Sequence, residues 1–372
     1  MSVMAEKDQV TIDGEDFTND MSMIMVVGVT GSGKSYFINQ LAGAQVVEEG
    51  GNLGSRRLYH PSPKSNDLIY LICALEETQK CEMIPVVVGG SKLVLIDTPG
   101  FDDTKRSDAE ILGEIARVLA AQYSLGFELK GIVYLHRITD IRYTGSNVKT
   151  FEIFKRICGE ETFHNVLLTT SRWGSVSEEV GADREHELRK SFWAYMLDRG
   201  SNMMRFHGDR ESAISVVGQL LIKDSVVLSL QKELIDQGKD LNDTVAGSLV
   251  DGDLERALRQ RREDITQIEN LQAQLRDADV QAIQRYEKDA QEMRQKLLEA
   301  QLQRSSLQHN PVDKVCDEIR REKAKPKSKW RGIGAVLPFI PVSLSLLGLF
   351  VGVPPGSFEQ LTDFFMSFDG QT

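Results

Sequence analysis

The chain has few of the residues that mark a secreted, disulfide-bonded or metal-cluster protein. Its 372 residues include four cysteines, and their wide spacing forms no C-x-x-C pair, zinc knuckle or disulfide framework. Residues 1–20 carry six acidic residues and one lysine without an apolar run, so no secretory signal is recognisable there. We therefore expect a reducing, cytoplasmic compartment, and we predict that residues 1–21 form a flexible acidic leader.

Basic residues are also fewer than acidic residues. Lys and Arg total 44 against 55 Asp and Glu, which gives a net charge of -11. This balance argues against a nucleic-acid partner, because such binding depends on neutralising phosphates. With 41% hydrophobic and 27% charged residues, the composition is that of a soluble globular protein rather than of a many-span membrane protein. The length predicts two to three domains of roughly 150 residues each.

Short apolar runs alternate with amphipathic stretches between residues 22 and 222. The pairs are 23–29 with 34–42, 86–97 with 109–122, 132–136 with 148–158, 166–170 with 178–196, and 203–206 with 209–222. This alternation is typical of parallel strands joined by helices. We predict a doubly wound, mostly parallel α/β domain over residues 22–222.

Residues 223–310 have a different pattern and are predicted to be a helical or coiled-coil region. Apolar residues recur at a 3-4 spacing in two sets, separated by a phase slip near 277–279. The sets are Leu254, Leu258, Ile265, Ile268 and Leu275, and then Ile283, Tyr286, Ala290, Met293 and Leu297. Three arrangements fit: an oligomeric coiled coil, a hairpin folded back on the α/β domain, or a lone solvated helix.

The end of the chain reverses the overall charge. Residues 311–332 are a basic linker with seven basic residues between 320 and 331, and residues 333–353 contain no charge. A helix of that length would span about 31 Å, enough to cross a bilayer core. Because the basic cluster precedes this run and the acidic tail at 354–372 carries no basic residue, the positive-inside rule would place the preceding domains in the cytosol. Because Pro338 and Pro341 disfavour a straight helix, a tail anchor, an interfacial segment on anionic lipid and a segment packed on the helices all stay open.

A complete phosphate-loop pattern, G-x-x-x-x-G-K-[ST], lies between the first apolar run and the first amphipathic stretch. Its residues are Gly28, Val29, Thr30, Gly31, Ser32, Gly33, Lys34 and Ser35, followed by Tyr36. Such a loop turns backbone N–H groups around an anion, its lysine reaches the terminal phosphates, and its serine binds Mg²⁺. We predict nucleotide binding by residues 28–36.

A D-x-x-G pattern from Asp97 to Gly100 ends a second apolar run. There Asp97 would join the magnesium shell, and the Gly100 N–H would contact the γ-phosphate. A nucleotide switch also needs a hydroxyl that closes on the metal, and Thr78 is the best-placed candidate. The predicted metal ligands are thus Ser35, Thr78 and Asp97, and the groups predicted to act on the γ-phosphate are Lys34, Thr78 and Gly100.

Together with the phosphate loop, the D-T-P-G-F-D-D-T stretch at 97–104 and the T-Q-K-C stretch at 78–81 resemble the septin-like P-loop GTPases. The chain resembles in particular the immunity-associated nucleotide-binding proteins, the chloroplast import-receptor GTPases and fungal G-domain proteins with helical tails. The resemblance covers about residues 22–220. It implies a G domain that binds GTP or GDP with Mg²⁺ and forms a homodimer or oligomer through its nucleotide face or its helices.

The base-binding end departs from that family. Its members read guanine with an N/T-K-x-D motif, whereas the corresponding stretch here contains Thr170, Arg172 and Trp173 but no carboxylate. Arg172 or Trp173 could stack on a purine, and His207 follows the next strand. These residues are the predicted base pocket, and the choice of GTP over ATP rests on the resemblance.

Hydrolysis is also in question, because Phe101 stands where Ras-like enzymes carry a glutamine that orients water. We expect hydrolysis to be slow in the monomer and to depend on groups from a partner. Arg137 and Arg142 are candidate donors in trans, with solvated surface arginines as the alternative. The expectation is a membrane-associated GTPase switch, and the rival is a non-hydrolysing scaffold that uses nucleotide to fold or assemble.

Overall fold

The structure is a computed structural model that describes residues 22–47, 81–101, 106–124, 126–274 and 280–308. Within these ranges six strands form one sheet: β1 Ser22–Gly28, β2 Glu82–Val88, β3 Ser91–Asp97, β4 Glu128–Arg137, β5 Val166–Ser171 and β6 Asn202–Arg205. Their order is β2-β3-β1-β4-β5-β6. β2 pairs antiparallel with β3, and the other four pairings are parallel. The predicted mostly parallel α/β sheet is confirmed.

Helices follow the strands as the alternation predicts, and two long helices lie after residue 222. They are α1 Lys34–Ala42, α2 Asp108–Ser124, α3 Gly145–Cys158, α4 Glu178–Glu187, α5 Ala194–Leu197, α6 Arg210–Leu221, α7 Val245–Gln274 and α8 Val280–Leu307. Short side chains that precede a helix fix where several of them begin. Thr144, Ser177 and Asp209 each accept a hydrogen bond from a backbone N–H in the first turn of α3, α4 and α6.

The stretch at 178–196 differs from a single amphipathic helix. α4 ends at Glu187, a π-helical turn spans Leu188–Phe192, and α5 begins at Ala194. Trp193, which joins the turn to α5, is fully buried. The π-helical turn, which is wider than an α-helical turn, accompanies the burial of this large ring. The 3.6-residue repeat of a regular α-helix does not predict such a turn.

The sheet has an apolar core on each face. Met23, Met25 and Val27 of β1 belong to the cluster that α2 and α3 cover, whereas Ile24 and Val26 belong to the cluster under α1 and α6. Alternate residues of a strand point to opposite faces, so a strand buried on both faces is apolar throughout. This explains the unbroken apolar runs in the sequence.

The helical region is a hairpin. Arg304 forms an ion pair with Asp251 at 2.7 Å, and Arg294 with Glu269 at 2.6 Å, so residue numbers rise along α7 as they fall along α8. The two helices are therefore antiparallel, as in the second of the three predicted arrangements. Leu258 and Ala290 of the predicted apolar sets are buried within this single chain.

The hairpin packs on the α/β domain. Lys149 of α3 bridges Asp108 at the start of α2 and Asp253 of α7, at 2.7 Å and 3.0 Å. Leu307, at the end of α8, belongs to the same buried cluster as the strands. The described helices between residues 223 and 308 are therefore joined to the sheet by buried contacts.

Several predictions concern residues outside the described ranges: the leader, Thr78, the basic linker, the uncharged run at 333–353 and the acidic tail. Among the helices that the structure describes, none combines the length and the hydropathy needed to cross a bilayer.

Replacing Leu307 by Ala should destabilise the protein, because this side chain has 0% exposure where α8 meets the core. A buried leucine-to-alanine change costs about 2–5 kcal/mol. Leu302→Ala is the matched control on the same helix, since Leu302 is 61% exposed, and it should change stability by less than about 0.5 kcal/mol. Urea unfolding followed by circular dichroism measures both, and equal effects would contradict the observed docking of α8.

Candidate functional site

The phosphate loop connects β1 to α1 at the carboxyl edge of the sheet, in close contact with its neighbours. A Cβ atom on Gly28 would lie 2.3 Å from the Leu135 carbonyl oxygen of β4, and one on Gly100 would lie 2.7 Å from the Thr30 N atom. Only glycine fits at either position. The two glycines therefore bring the loop, β4 and the D-x-x-G segment together.

Donors from two parts of the chain, α1 and the end of β5, hold carbonyl groups of this loop. Lys34 Nζ donates to Gly28 O at 3.1 Å and to Val29 O at 3.3 Å. From the end of β5, Ser171 Oγ donates to Ser32 O at 2.6 Å. In a trans peptide the N–H and C=O groups point in opposite directions. A carbonyl that accepts a hydrogen bond on one side of the loop therefore directs the N–H of the next residue toward the other side. Backbone N–H groups that converge in this way form an anion-binding concavity at the start of a helix.

A carboxylate and a hydroxyl meet beside the loop. Ser35 Oγ donates to Asp97 Oδ2 at 3.4 Å, and Asp97 Oδ1 is buried without a hydrogen-bond partner. Burial raises the pKa of Asp97 to about 6, while the nearby Lys34 charge and the Ser35 hydrogen bond act to lower it. An unpartnered, partly desolvated carboxylate oxygen beside a hydroxyl suits a hard divalent cation such as Mg²⁺, whose other ligands are commonly phosphate and water.

The described residues contain no group of three or more His, Cys, Asp or Glu that could hold a metal alone. Ser35 and Asp97 would therefore share the ion with the phosphates of a bound nucleotide. When bound, Mg²⁺ supplies positive charge against those phosphates. The third predicted metal ligand, Thr78, lies outside the described residues.

The D-x-x-G segment runs alongside the phosphate loop. Thr30 N donates to Phe101 O at 3.0 Å, and Thr98 Oγ1 donates to Val26 O at 2.9 Å, which fixes the end of β3 against β1. Gly100 thus packs against Thr30 of the phosphate loop. The Phe101 ring is fully buried in the core and does not face the site.

Two of the residues predicted for the base pocket are committed to protein contacts. Thr170 is fully buried, and its hydroxyl accepts from Trp173 Nε1 at 3.0 Å. The Arg205 guanidinium lies 4.0 Å from the centre of the Trp173 ring, and a Cβ on Gly181 would touch the same ring. Thr170 and Trp173 therefore form the wall behind this end of the site.

Arg172 and His207 are the other two predicted base-pocket residues. Arg172 Nε donates to Gly31 O at 3.2 Å, and Arg172 alone among the described non-glycine residues has a positive φ, 62°. That backbone conformation costs of order 1 kcal/mol and is commonest at functional sites. The His207 ring centre lies 6.3 Å from that of Trp173. Arg172 thus reaches the tip of the phosphate loop, and His207 lies on the side of β6.

Tyr36, the last residue of the predicted phosphate-binding segment, connects the two ends of the site. Its hydroxyl donates to Gly208 O at 2.8 Å, and its ring is exposed at the start of α1. The loop after β6, which contains His207 and Gly208, is thereby held against α1, the helix that begins at the phosphate loop.

Arg137 is a site residue that the sequence did not single out from Arg142. It ends β4, its Nε pairs with Asp140 Oδ1 at 2.9 Å, and its Nη1 would lie 3.1 Å from a Cβ on Gly31. Arg142 is exposed on the following loop. The signal that could have separated them is position, because Arg137 ends the strand paired with β1, and β1 leads directly into the phosphate loop.

No family model matches the chain. The solved structure of Toc33 from Arabidopsis thaliana in complex with Mg²⁺ and GMPPNP is similar over 56% of this chain and 87% of that chain, with 16% identity and a TM-score of 0.39. Bacterial selenocysteine-specific elongation factor EF-Sec is similar over 59% and 29%, with 12% identity and 0.33. The G domain of the T. maritima FeoB iron transporter is similar over 54% and 97%, with 12% identity and 0.29. Values this low assign neither a family nor a function.

Asp97→Asn should stabilise the protein when Mg²⁺ and nucleotide are absent. The folded-state pKa of about 6 lies above the ordinary 3.8, so ionisation of Asp97 opposes folding; the penalty is full above pH 6 and disappears below pH 3.8. The gain in unfolding free energy should be at most about 3 kcal/mol at pH 7.5 and about half of that at pH 5.0.

Urea unfolding at the two pH values, in EDTA, measures this gain. Asp198→Asn, at an exposed position, is the control and should change stability by less than about 0.5 kcal/mol at either pH. Destabilisation by Asp97→Asn at pH 7.5 would mean that the contacts with Lys34 and Ser35 outweigh the cost of burial.

Proposed function

We propose that the chain binds GTP and GDP with Mg²⁺ and acts as a slow GTPase switch. The observation that carries the proposal is the meeting of Ser35 and Asp97 at 3.4 Å beside a complete phosphate loop. Neither residue type is unusual alone. A loop that binds phosphate and an adjacent pair of oxygen ligands together suit a nucleotide with its magnesium ion.

The roles of the chain's residues follow from their positions. Backbone N–H groups of Gly31 and of residues 33–36 are the proposed phosphate donors, since the Ser32 N–H donates to Val29 O, and Lys34, whose Nζ lies on the loop, is proposed to place its charge against the terminal phosphates. Gly100 offers its N–H at the D-x-x-G segment, and Thr78 is the proposed hydroxyl that closes the metal shell. Arg172 and His207 are the proposed contacts for the base, with guanine preferred.

Catalysis is proposed to need a second copy of the chain. Phe101 is buried and presents no polar group that could orient water. The monomer therefore has the proposed nucleotide-binding residues but lacks, at this position, a residue that activates water. Arg137 lies beside Gly31 of the phosphate loop, and we propose that another copy docks on this side of the site. A homodimer across this face could add the missing groups.

The buried Phe101 ring also supports a second candidate, a non-hydrolysing scaffold stabilised by nucleotide. In that function the phosphate loop binds GTP to stabilise the folded domain or its dimer, and the helical hairpin binds partners. The two candidates predict the same nucleotide affinity and differ in phosphate release.

Membrane association is a further part of the proposal. The support is the sequence of residues 320–353, in which a basic cluster precedes 21 uncharged residues. The α/β domain would then face the cytosol from a tail-anchored or peripheral position. Carbonate extraction of membranes from cells that express the full chain distinguishes these forms, since release into the supernatant would rule out a span.

Lys34→Met should weaken nucleotide binding by more than about 30-fold, because it removes a buried charge that faces the phosphates. Lys232→Met is the matched control, since Lys232 pairs with Glu161 on the surface. Titration of a fluorescent GTP analogue in Mg²⁺ measures both. Competition by unlabelled GTP and ATP tests the base, and stronger competition by ATP would contradict the guanine preference.

Single-turnover phosphate release should rise with protein concentration, because the proposed catalytic form is a dimer. Arg137→Ala should lower the release rate at high concentration, whereas Arg142→Ala, at the exposed position nearby, should change it less. Release at background at every concentration would favour the scaffold, and release independent of concentration would contradict the role of a second copy.

A further inference from the structure

The β6–α6 loop, residues 206–209, lies beside the start of α1. It contains His207, a proposed contact for the base, and Gly208. Tyr36 Oη donates to Gly208 O at 2.8 Å, which joins residues 172 positions apart in the chain. A Cβ on Gly208 would lie 3.6 Å from the Tyr36 ring, so the backbone of the loop also packs beside the ring.

Packing alone does not account for the Tyr36 hydroxyl. The ring centre lies 5.9 Å from that of Phe206, and a phenylalanine at position 36 would make the same contact. The side chain is 38% exposed, so burial does not force the hydroxyl to bond within the protein. Its bond to Gly208 O therefore has a positional effect, because it fixes the separation of α1 and the β6–α6 loop.

Other contacts hold the β6–α6 loop from the opposite side. Phe206 N donates to Thr170 O of β5 at 2.8 Å, and His207 N donates to Ser212 Oγ of α6 at 3.1 Å. These bonds fix the loop to the two elements that flank the proposed base pocket. The bond from Tyr36 joins the same loop to the helix that begins at the phosphate loop.

The backbone of Tyr36 belongs to the phosphate side of the site. The first helical bond of α1 runs from Phe37 N to Gly33 O at 2.8 Å, so the Tyr36 N–H lies in the first turn, before that bond. N–H groups in such a turn are the ones that hold phosphates. Tyr36 thus meets the proposed phosphate site with its main chain and the proposed base-binding loop with its side chain.

We propose that Tyr36 is a positioning residue whose hydroxyl holds the β6–α6 loop at the distance from the phosphate loop that a whole nucleotide requires. This inference rests on the nucleotide binding proposed above. A ligand that spans two sites binds more tightly when both are already in place, because less of the binding free energy is lost in ordering them. Pyrophosphate has no base, so its affinity should not depend on this hydrogen bond.

Calorimetric titration of the full chain in Mg²⁺ with GDP and with pyrophosphate tests the proposal. Tyr36→Phe keeps the ring and removes the hydroxyl. It should weaken GDP binding by about 3- to 10-fold, the effect of one net hydrogen bond, and leave pyrophosphate binding within about twofold. Tyr195→Phe is the matched control, since it removes the hydroxyl of an exposed ring bonded to Glu160, and it should change neither affinity.

Two results would overturn the role of Tyr36 and leave the proposed function in place. Equal weakening of GDP and pyrophosphate binding by Tyr36→Phe would indicate a general disturbance of the phosphate loop. Unchanged GDP affinity would mean that the hydroxyl does not contribute to nucleotide binding. If the unaltered chain binds neither GDP nor GTP, the proposed function fails and this inference fails with it.

Amide hydrogen exchange without nucleotide provides a second measurement. Residues 206–209 should exchange about 3- to 10-fold faster in Tyr36→Phe than in the unaltered chain, because the loop has lost one bond that holds it. The same residues should exchange at the unaltered rate in Tyr195→Phe. Equal exchange in Tyr36→Phe and the unaltered chain would contradict the claim that this hydroxyl holds the loop.

Discussion

The geometry of the site depends on how the carbonyl groups of the phosphate loop are held. A loop that turns its N–H groups toward an anion must turn carbonyl groups away from it, and those groups need donors. Lys34, Ser171 and Arg172 supply them from α1 and from the end of β5. Because Gly28 lies against the Leu135 carbonyl, β4 also fixes the position of the loop. The packing of the strands therefore also fixes the conformation of the phosphate loop.

This constraint explains what the sequence predicts well. The phosphate loop is a local pattern whose glycines, lysine and serine are consecutive, so its chemistry can be inferred without tertiary structure. The same holds for the strand–helix alternation, because period and length are local properties. The role of Ser171 is different, since its contact with Ser32 crosses 139 residues and depends on the parallel register of β4 and β5. No local signal separates it from the neighbouring Thr170.

The pairing of the long helices was open for a related reason. An apolar seam at a 3-4 spacing indicates that a helix needs a partner, but it does not say which helix provides it. Here the partner follows in the same chain, and ion pairs such as Arg304 with Asp251 set the antiparallel register. Arg261 of α7 donates from its guanidinium to the Lys296 carbonyl of α8 at 2.9 Å, so a polar side chain also joins the two helices.

The two departures from the resembling family lie in different physical environments. Phe101 belongs to the core and contributes apolar burial at the position where a glutamine would face water. At the predicted base-binding end, the polar groups bond to other groups of the protein. Trp173 donates to Thr170, and Arg205 pairs with Glu178 and Glu185 and lies over the indole ring. Glu178 and Glu185 therefore share one arginine. The proposed phosphate binding depends on backbone groups that these changes leave intact, so the proposal separates nucleotide affinity from base reading and water activation.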